Sequence, residues 1–171
     1  MSVFYEFDEV DTFTVGTVGR PGARTFYLQV RADGQRVSVK CEKQQTAAIA
    51  QYLEKVMADL PPPEDRPMPG AMKLADPVDP VFTLGPIGLG FDRANDRVLI
   101  QLEELGDNDD ESDDGFDDAS DDRGHVRVYV TRSQAAAFVA HAGTVVESGR
   151  PDCEWCDNPI DPDGHYCPRM N

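Results

Sequence analysis

One stretch of this chain recurs with its parts in the same order, and that recurrence limits the fold more than any other feature. Phe13-Thr14-Val15-Gly16-Thr17-Val18-Gly19 is echoed by Phe82-Thr83-Leu84-Gly85-Pro86-Ile87-Gly88. Leu28-Gln29-Val30 is echoed by Ile100-Gln101-Leu102, and Val37-Ser38-Val39-Lys40-Cys41 by Val126-Arg127-Val128-Tyr129-Val130. Gln45–Ala50 then matches Gln134–Val139. Each copy reads as three strands and a helix. A three-stranded meander with one helix cannot hide both of its faces alone, so the copies must share a core. The expected fold class is α+β. A duplicated β-β-β-α unit forms one antiparallel sheet of about six strands, related by a pseudo-twofold axis, with helices on one face.

The local patterns carry this reading. Arg24–Arg31 alternates, with Phe26, Leu28 and Val30 on one side and Tyr27, Gln29 and Arg31 on the other. Asp33-Gly34 predicts a tight hairpin turn, because both positions tolerate positive φ. Arg36–Cys41 alternates again, placing Val37, Val39 and Cys41 inward. From about Lys43 to Leu60 the period becomes helical, with an apolar face of Ala47, Ala48, Ile49, Leu53, Val56, Met57 and Leu60. Pro61-Pro62-Pro63 stops that helix. The second helix starts at a cap near Thr131 or Ser133. Gly85, Gly88 and Gly90 read as hairpin-turn glycines. The outward face, with Tyr27, Gln29, Arg31, Ser38, Lys40, Gln101, Glu103, Arg127 and Tyr129, reads as solvated.

The expected organisation is a first repeat over 1–60, a proline-rich linker over 61–80, a second repeat over 81–149 and a tail over 150–171. Seven prolines in the linker favour an extended, semi-rigid spacer. The offset between the copies is 69, then 72, then 89 residues, and the jump falls on an acidic run. Residues 107–122 hold ten of the 32 acidic residues and no base, so the rest of the chain balances to −6 against −16 overall. Such a run repels itself and reads as a disordered insertion in the second repeat. Its spacing approximates a calcium loop over Asp110–Asp121, but Asp stands where the bidentate Glu belongs and no helices flank it.

The tail carries the strongest chemical motif. Cys153-Glu154-Trp155-Cys156, eight residues, then His165-Tyr166-Cys167 gives C-x2-C-x8-H-x-C. Two thiolates two residues apart fit one tight turn, and three sulfurs with one imidazole close a tetrahedral shell around Zn²⁺. A closed shell leaves no position for a catalytic water. The expectation is one structural zinc per chain, held by Cys153, Cys156, His165 and Cys167. With few apolar residues in the tail, the metal supplies most of its folding free energy.

Weaker signals point elsewhere. Gly16, Gly19 and Gly22 with Arg20 and Arg24 form a glycine-rich turn that could cradle a phosphate. No helix is expected to start there, so it is neither a P-loop nor a dinucleotide fingerprint. Cys41 reads as an inert buried thiol, and His125 and His141 as structural or exposed. No nucleophile, base and orienting group assemble into a readable catalytic set. No apolar stretch is long enough to span a membrane, and the acidic balance opposes nucleic-acid binding. The first residues show no secretory signal, which points to the cytoplasm.

Two segments carry a family resemblance: Phe13–Gly16 continuing through Gly22–Gln29, and the tail Gly164-His165-Tyr166-Cys167-Pro168-Arg169-Met170-Asn171. The chain resembles an uncharacterised actinobacterial family, number three thousand and ninety among the domains of unknown function. The resemblance covers nearly the whole chain and implies no established activity. Members are often encoded beside a histidine-phosphatase-like and a lipid-kinase-like protein, which implies a phosphoryl-related context. The functional expectation is a cytoplasmic zinc-containing binding or adaptor protein with a protein partner. The rival is an enzyme or binding protein for a phosphorylated small molecule, using Arg20 and Arg24.

Overall fold

The computed structural model describes residues 3–20, 23–63, 69–106 and 123–147. The acidic run and the zinc-motif tail therefore lie outside the described residues. Strands β1 (Phe4–Phe7), β2 (Thr12–Val18), β3 (Thr25–Ala32) and β4 (Gln35–Cys41) precede helix α1 (Lys43–Ala58). After a 3-10 turn at Pro69–Met72 come β5 (Pro80–Asp92), β6 (Arg97–Glu104), β7 (His125–Val130) and helix α2 (Arg132–Glu147). All seven strands form one sheet in the order β1-β7-β6-β5-β4-β3-β2.

The sheet is mixed rather than antiparallel. Meanders β2-β3-β4 and β5-β6-β7 are antiparallel inside, but β4 pairs with β5 in parallel. The chain leaves β4, runs through α1 and returns to start β5 in the same direction, as a helical crossover requires. The third strand of one meander thus meets the first strand of the next. A twofold axis would pair like with like, so the arrangement is head to tail and not pseudo-twofold. The seventh strand, β1, was not foreseen; it joins β7 in parallel with Phe4 opposite His125 and Glu6 opposite Arg127.

Both helices bury their apolar sides in one core with the sheet. Ile49 and Leu53 of α1 and Ala135, Phe138 and Ala142 of α2 join Val15, Leu28, Val39, Ile100, Leu102 and Val128. Phe13 stacks on Phe138 with ring centroids 4.7 Å apart, which ties the first meander to the last helix. His141 Nε2 lies 2.9 Å from the Val15 carbonyl, so α2 also engages a main-chain group of edge strand β2. The apolar face of α1 is narrower than its sequence suggested: Ile49, Leu53 and Thr46 are buried, while Ala48 is exposed.

Each helix begins with a capping box. Gln45 Oε1 accepts from Glu42 N at 2.9 Å, and Gln134 Oε1 accepts from Thr131 N at 2.9 Å. Thr131 is thus the cap of α2, and its hydroxyl accepts from Gln134 N at 3.1 Å. The amide of each capping glutamine reaches further: Gln45 Nε2 donates to Leu84 O at 3.1 Å, and Gln134 Nε2 to Val10 O at 2.6 Å. The Asp33-Gly34 turn is as expected, with φ of 52° and 74°. Gly85, Gly88 and Gly90 differ from expectation and lie inside β5, where the register shifts between Leu84 and Ile87.

The largest departure concerns the face opposite the helices. Residues 69–76 do not act as a spacer here; they cross this face of the first meander as a strap. Thr14 Oγ1 donates to Met72 O at 2.6 Å, and Arg31 to Ala71 O and Lys73 O at 2.6 and 3.0 Å. Gln29 clasps Ala75 at both ends, donating to its carbonyl at 3.0 Å and accepting from its N–H at 2.8 Å. Gln29, Thr14, Ser38 and Met72 are buried as a result, so the supposed solvated face is an interior under the strap, while Tyr27 and Arg31 are half-buried and Lys40 is exposed. Gln29 is tolerated there because its amide is fully engaged, with Nε2 also donating to Ser38 Oγ at 3.2 Å.

Candidate functional site

The strap stops at the first meander. Among the described residues, nothing crosses the same face of the second. Along β7 this face presents His125, Arg127 and Tyr129; along β6, Arg97, Leu99, Gln101 and Glu103; along β5, Gly88 and Gly90. Phe4 and Glu6 of β1 complete it by register. Arg127 donates to Gln101 Oε1 at 3.2 Å and pairs with Glu6 at 3.6 Å, and Gln101 Nε2 donates to Glu103 Oε1 at 3.1 Å. His125 Nδ1 is 3.9 Å from Glu103, beyond hydrogen-bond reach. His125 Nδ1 and Arg127 Nε are buried without a partner, as is Arg31 Nε in the first half. An open cleft of about 450 Å³ continues this face past the β5–β6 turn, lined by Asp8, Glu9, Asp92, Asn95, Arg97 and Tyr129. Asp92 is held below the usual carboxylate range by the Asn95 side-chain amide, which caps the turn.

Gln101, Glu103, Arg127 and Tyr129 were foreseen on an outward face. Glu6, Arg97, His125 and the floor of Gly88 and Gly90 were not. The alternation of β7 could have found His125. The glycines were hidden because a Gly-rich run reads as turns when a strand is long and bulged.

The glycine-rich turn is distributed differently from its sequence grouping. Gly16 is buried in β2, and a Cβ there would lie 2.5 Å from Leu74 Cγ of the strap. Its lack of a side chain therefore serves strap packing. Gly19 has φ +110° in the β2–β3 turn, where Ala23 N donates to Arg20 O at 2.9 Å. Arg20 is exposed and Arg24 half-buried, while Gly22 lies outside the described residues. Cys153, Cys156, His165 and Cys167 also lie outside them. Among the described residues, no three His, Cys, Asp or Glu side chains are grouped to hold a metal. No described helix is long and apolar enough to cross a membrane.

Cys41 is buried on the helix side, with Sγ 3.4 Å from Thr46 Oγ1. Burial pushes its thiol up from 9.0 to about 11. The folded state therefore holds the proton more tightly than the unfolded chain. This contribution is complete below pH 9 and is lost as pH rises from 9 towards 11. Two units correspond to about 3 kcal/mol. Comparing urea midpoints of the wild type and Cys41→Val at pH 8 and pH 10.5 isolates it; the wild type should lose more stability. Equal losses would show that the thiol ionises as easily folded as unfolded.

A family model described as a protein of unknown function, DUF3090, matches residues 5–167. No curated protein and no solved structure matches the chain. The family match begins in β1, spans every later element of the sheet and both helices, and ends on Cys167, the last residue of the C-x2-C-x8-H-x-C motif. This chain belongs to the DUF3090 family of proteins of unknown function.

Proposed function

We propose that this chain is a zinc-containing binding protein, in which a self-standing sheet body carries a zinc-bound tail that engages a protein partner. The observation that carries the reading is the donor set Cys153, Cys156, His165 and Cys167. Three thiolates and one imidazole suit Zn²⁺ and fill its tetrahedral shell, which favours a structural over a catalytic ion. The body supports the reading of a self-standing scaffold, because its described residues bury a core that runs from Phe7 to Ala142. We also read the body as two copies of one β-β-β-α unit. Support comes from the β-β-β-α order running twice and from the two capping glutamines, each donating to a carbonyl beyond its own helix.

Metal analysis of the full chain tests the zinc. About one zinc per chain is expected, lost in Cys156→Ser, with the circular dichroism of the sheet retained. Metal-free wild type would reject the reading. A pull-down from the native extract with wild type and Cys156→Ser tests the partner: a protein held only by the zinc-loaded form supports it, and identical captures reject it.

A further inference from the structure

The two meanders are alike in register, and among the described residues one of them is covered and the other is not. In the first, Val15 lies opposite Leu28, Thr14 opposite Gln29 and Gly16 opposite Tyr27. In the second, Leu89 lies opposite Ile100, Gly88 opposite Gln101 and Gly90 opposite Leu99. Each middle strand thus presents a glutamine, and each first strand a glycine, on the face away from the helices. In the first meander both are used: Gln29 clasps the Ala75 main chain and Leu74 fills the space over Gly16. In the second, among the described residues, a Cβ on Gly90 would meet nothing within 4 Å, and the Gln101 amide reaches Glu103 and Arg127.

The sequence holds a second segment built like the strap. Pro151, Pro159 and Pro162 repeat the spacing of Pro69, Pro77 and Pro80, and Asp157-Asn158-Pro159-Ile160-Asp161-Pro162 parallels Ala75-Asp76-Pro77-Val78-Asp79-Pro80. The strap follows α1 and crosses the meander that precedes α1; the second segment follows α2 and the meander that precedes α2. Reach permits the same course. Nine residues lie between Glu147 and Asp157, ten chain steps that span at most about 33 Å. Four inter-strand steps separate β2, where α2 is bonded, from β6, about 19 Å, and passing from the helix layer to the opposite face adds about 10 Å. Charge does not decide the point: the segment holds Asp152, Glu154, Asp157 and Asp161, and the face sets Arg97 and Arg127 beside Glu6 and Glu103, with Arg127 already paired to Glu6.

We propose that residues 151–158 lie across β5 and β6 of their own chain as residues 69–76 lie across β2 and β3. The Asp157 main chain meets the Gln101 amide, and Cys156 takes the place over Gly90 that Leu74 takes over Gly16. This goes beyond the zinc reading and does not depend on it. It gives the tail a resting place on the body, which a partner would have to replace or extend.

Trp155 is the single tryptophan of the chain and sits inside the segment, so its emission tests the proposal in the full-length protein. In the wild type, emission should be blue-shifted and shielded from acrylamide. Gly90→Phe fills the open space and Gln101→Leu removes the clasp. Either should shift emission to the red, raise quenching and speed hydrogen exchange along β5 and β6, with exchange in β2–β4 unchanged. Solvated Trp155 emission in the wild type would overturn the proposal. So would shielding that neither variant disturbs, which would place the tail elsewhere. Shielding that weakens on dilution would assign the site to a second copy and also overturn it. Zinc content read on the same samples keeps failure here distinct from failure of the zinc reading.

Discussion

Phe138→Ala is expected to lower the stability of the folded chain by about 3–5 kcal/mol, the usual range for emptying a fully buried aromatic site. Phe138 has no exposed surface and stacks on Phe13, which is 1% exposed. The ring sits where α2, which follows the second meander, meets β2, the edge strand of the first. Neither partner can close on the other without separating α2 from β2, whose Val15 carbonyl also meets His141. The cavity should therefore stay largely open, which places the loss towards the upper end. Urea unfolding with an unchanged slope measures it. A loss below about 1 kcal/mol would mean that the site collapses freely, and that this contact does not fix α2.

Gln29→Leu is expected to cost about 2–4 kcal/mol and to free the strap while leaving the sheet intact. The substitution removes a carboxamide with no exposed surface and leaves the Ala75 N–H and carbonyl without their partners. An unmet buried polar group is more costly than the bond itself was favourable. Gly16→Val acts on the same element by colliding with Leu74. The two changes should therefore sum to less than their separate effects, because a strap released once cannot be released again. Hydrogen exchange at residues 71–76 should speed up in both variants. Unchanged protection there, with stability lost, would mean the damage lies in the β2–β3 pairing and not in the strap.

The sequence was most legible where structure is local. Asp33-Gly34 sets its own turn, and the alternation of β3, β4, β6 and β7 places Leu28, Val39, Ile100 and Val128 inward without reference to the rest of the chain. The start of α1 was visible as a change of period near Lys43, and that of α2 as a cap at Thr131 or Ser133, of which Thr131 is the one used. What escaped was set by distant partners. Phe4-Tyr5-Glu6-Phe7 becomes a strand because β7 offers it an edge more than a hundred residues later. The parallel join of β4 and β5 depends on how the chain returns after α1, which alternation does not encode. Gln29 looks like a surface residue until the strap lies over it. The proline-rich composition of the linker argued for an extended spacer, whereas Pro69–Met72 forms a 3-10 turn and residues 71–75 bond to the first meander. Of the candidate site residues, the sequence alone supplies the proposed zinc ligands, while the uncovered face needed the register of β5, β6 and β7.

Removal of metal from the full-length wild-type protein by a competing chelator addresses the central claim most directly, with zinc release and far-ultraviolet circular dichroism followed together. The account predicts that about one zinc leaves per chain while the sheet signal at 25 °C is unchanged, because the described residues of the body bury a core of their own. Release of no zinc, or loss of the sheet signal in step with the metal, would contradict it.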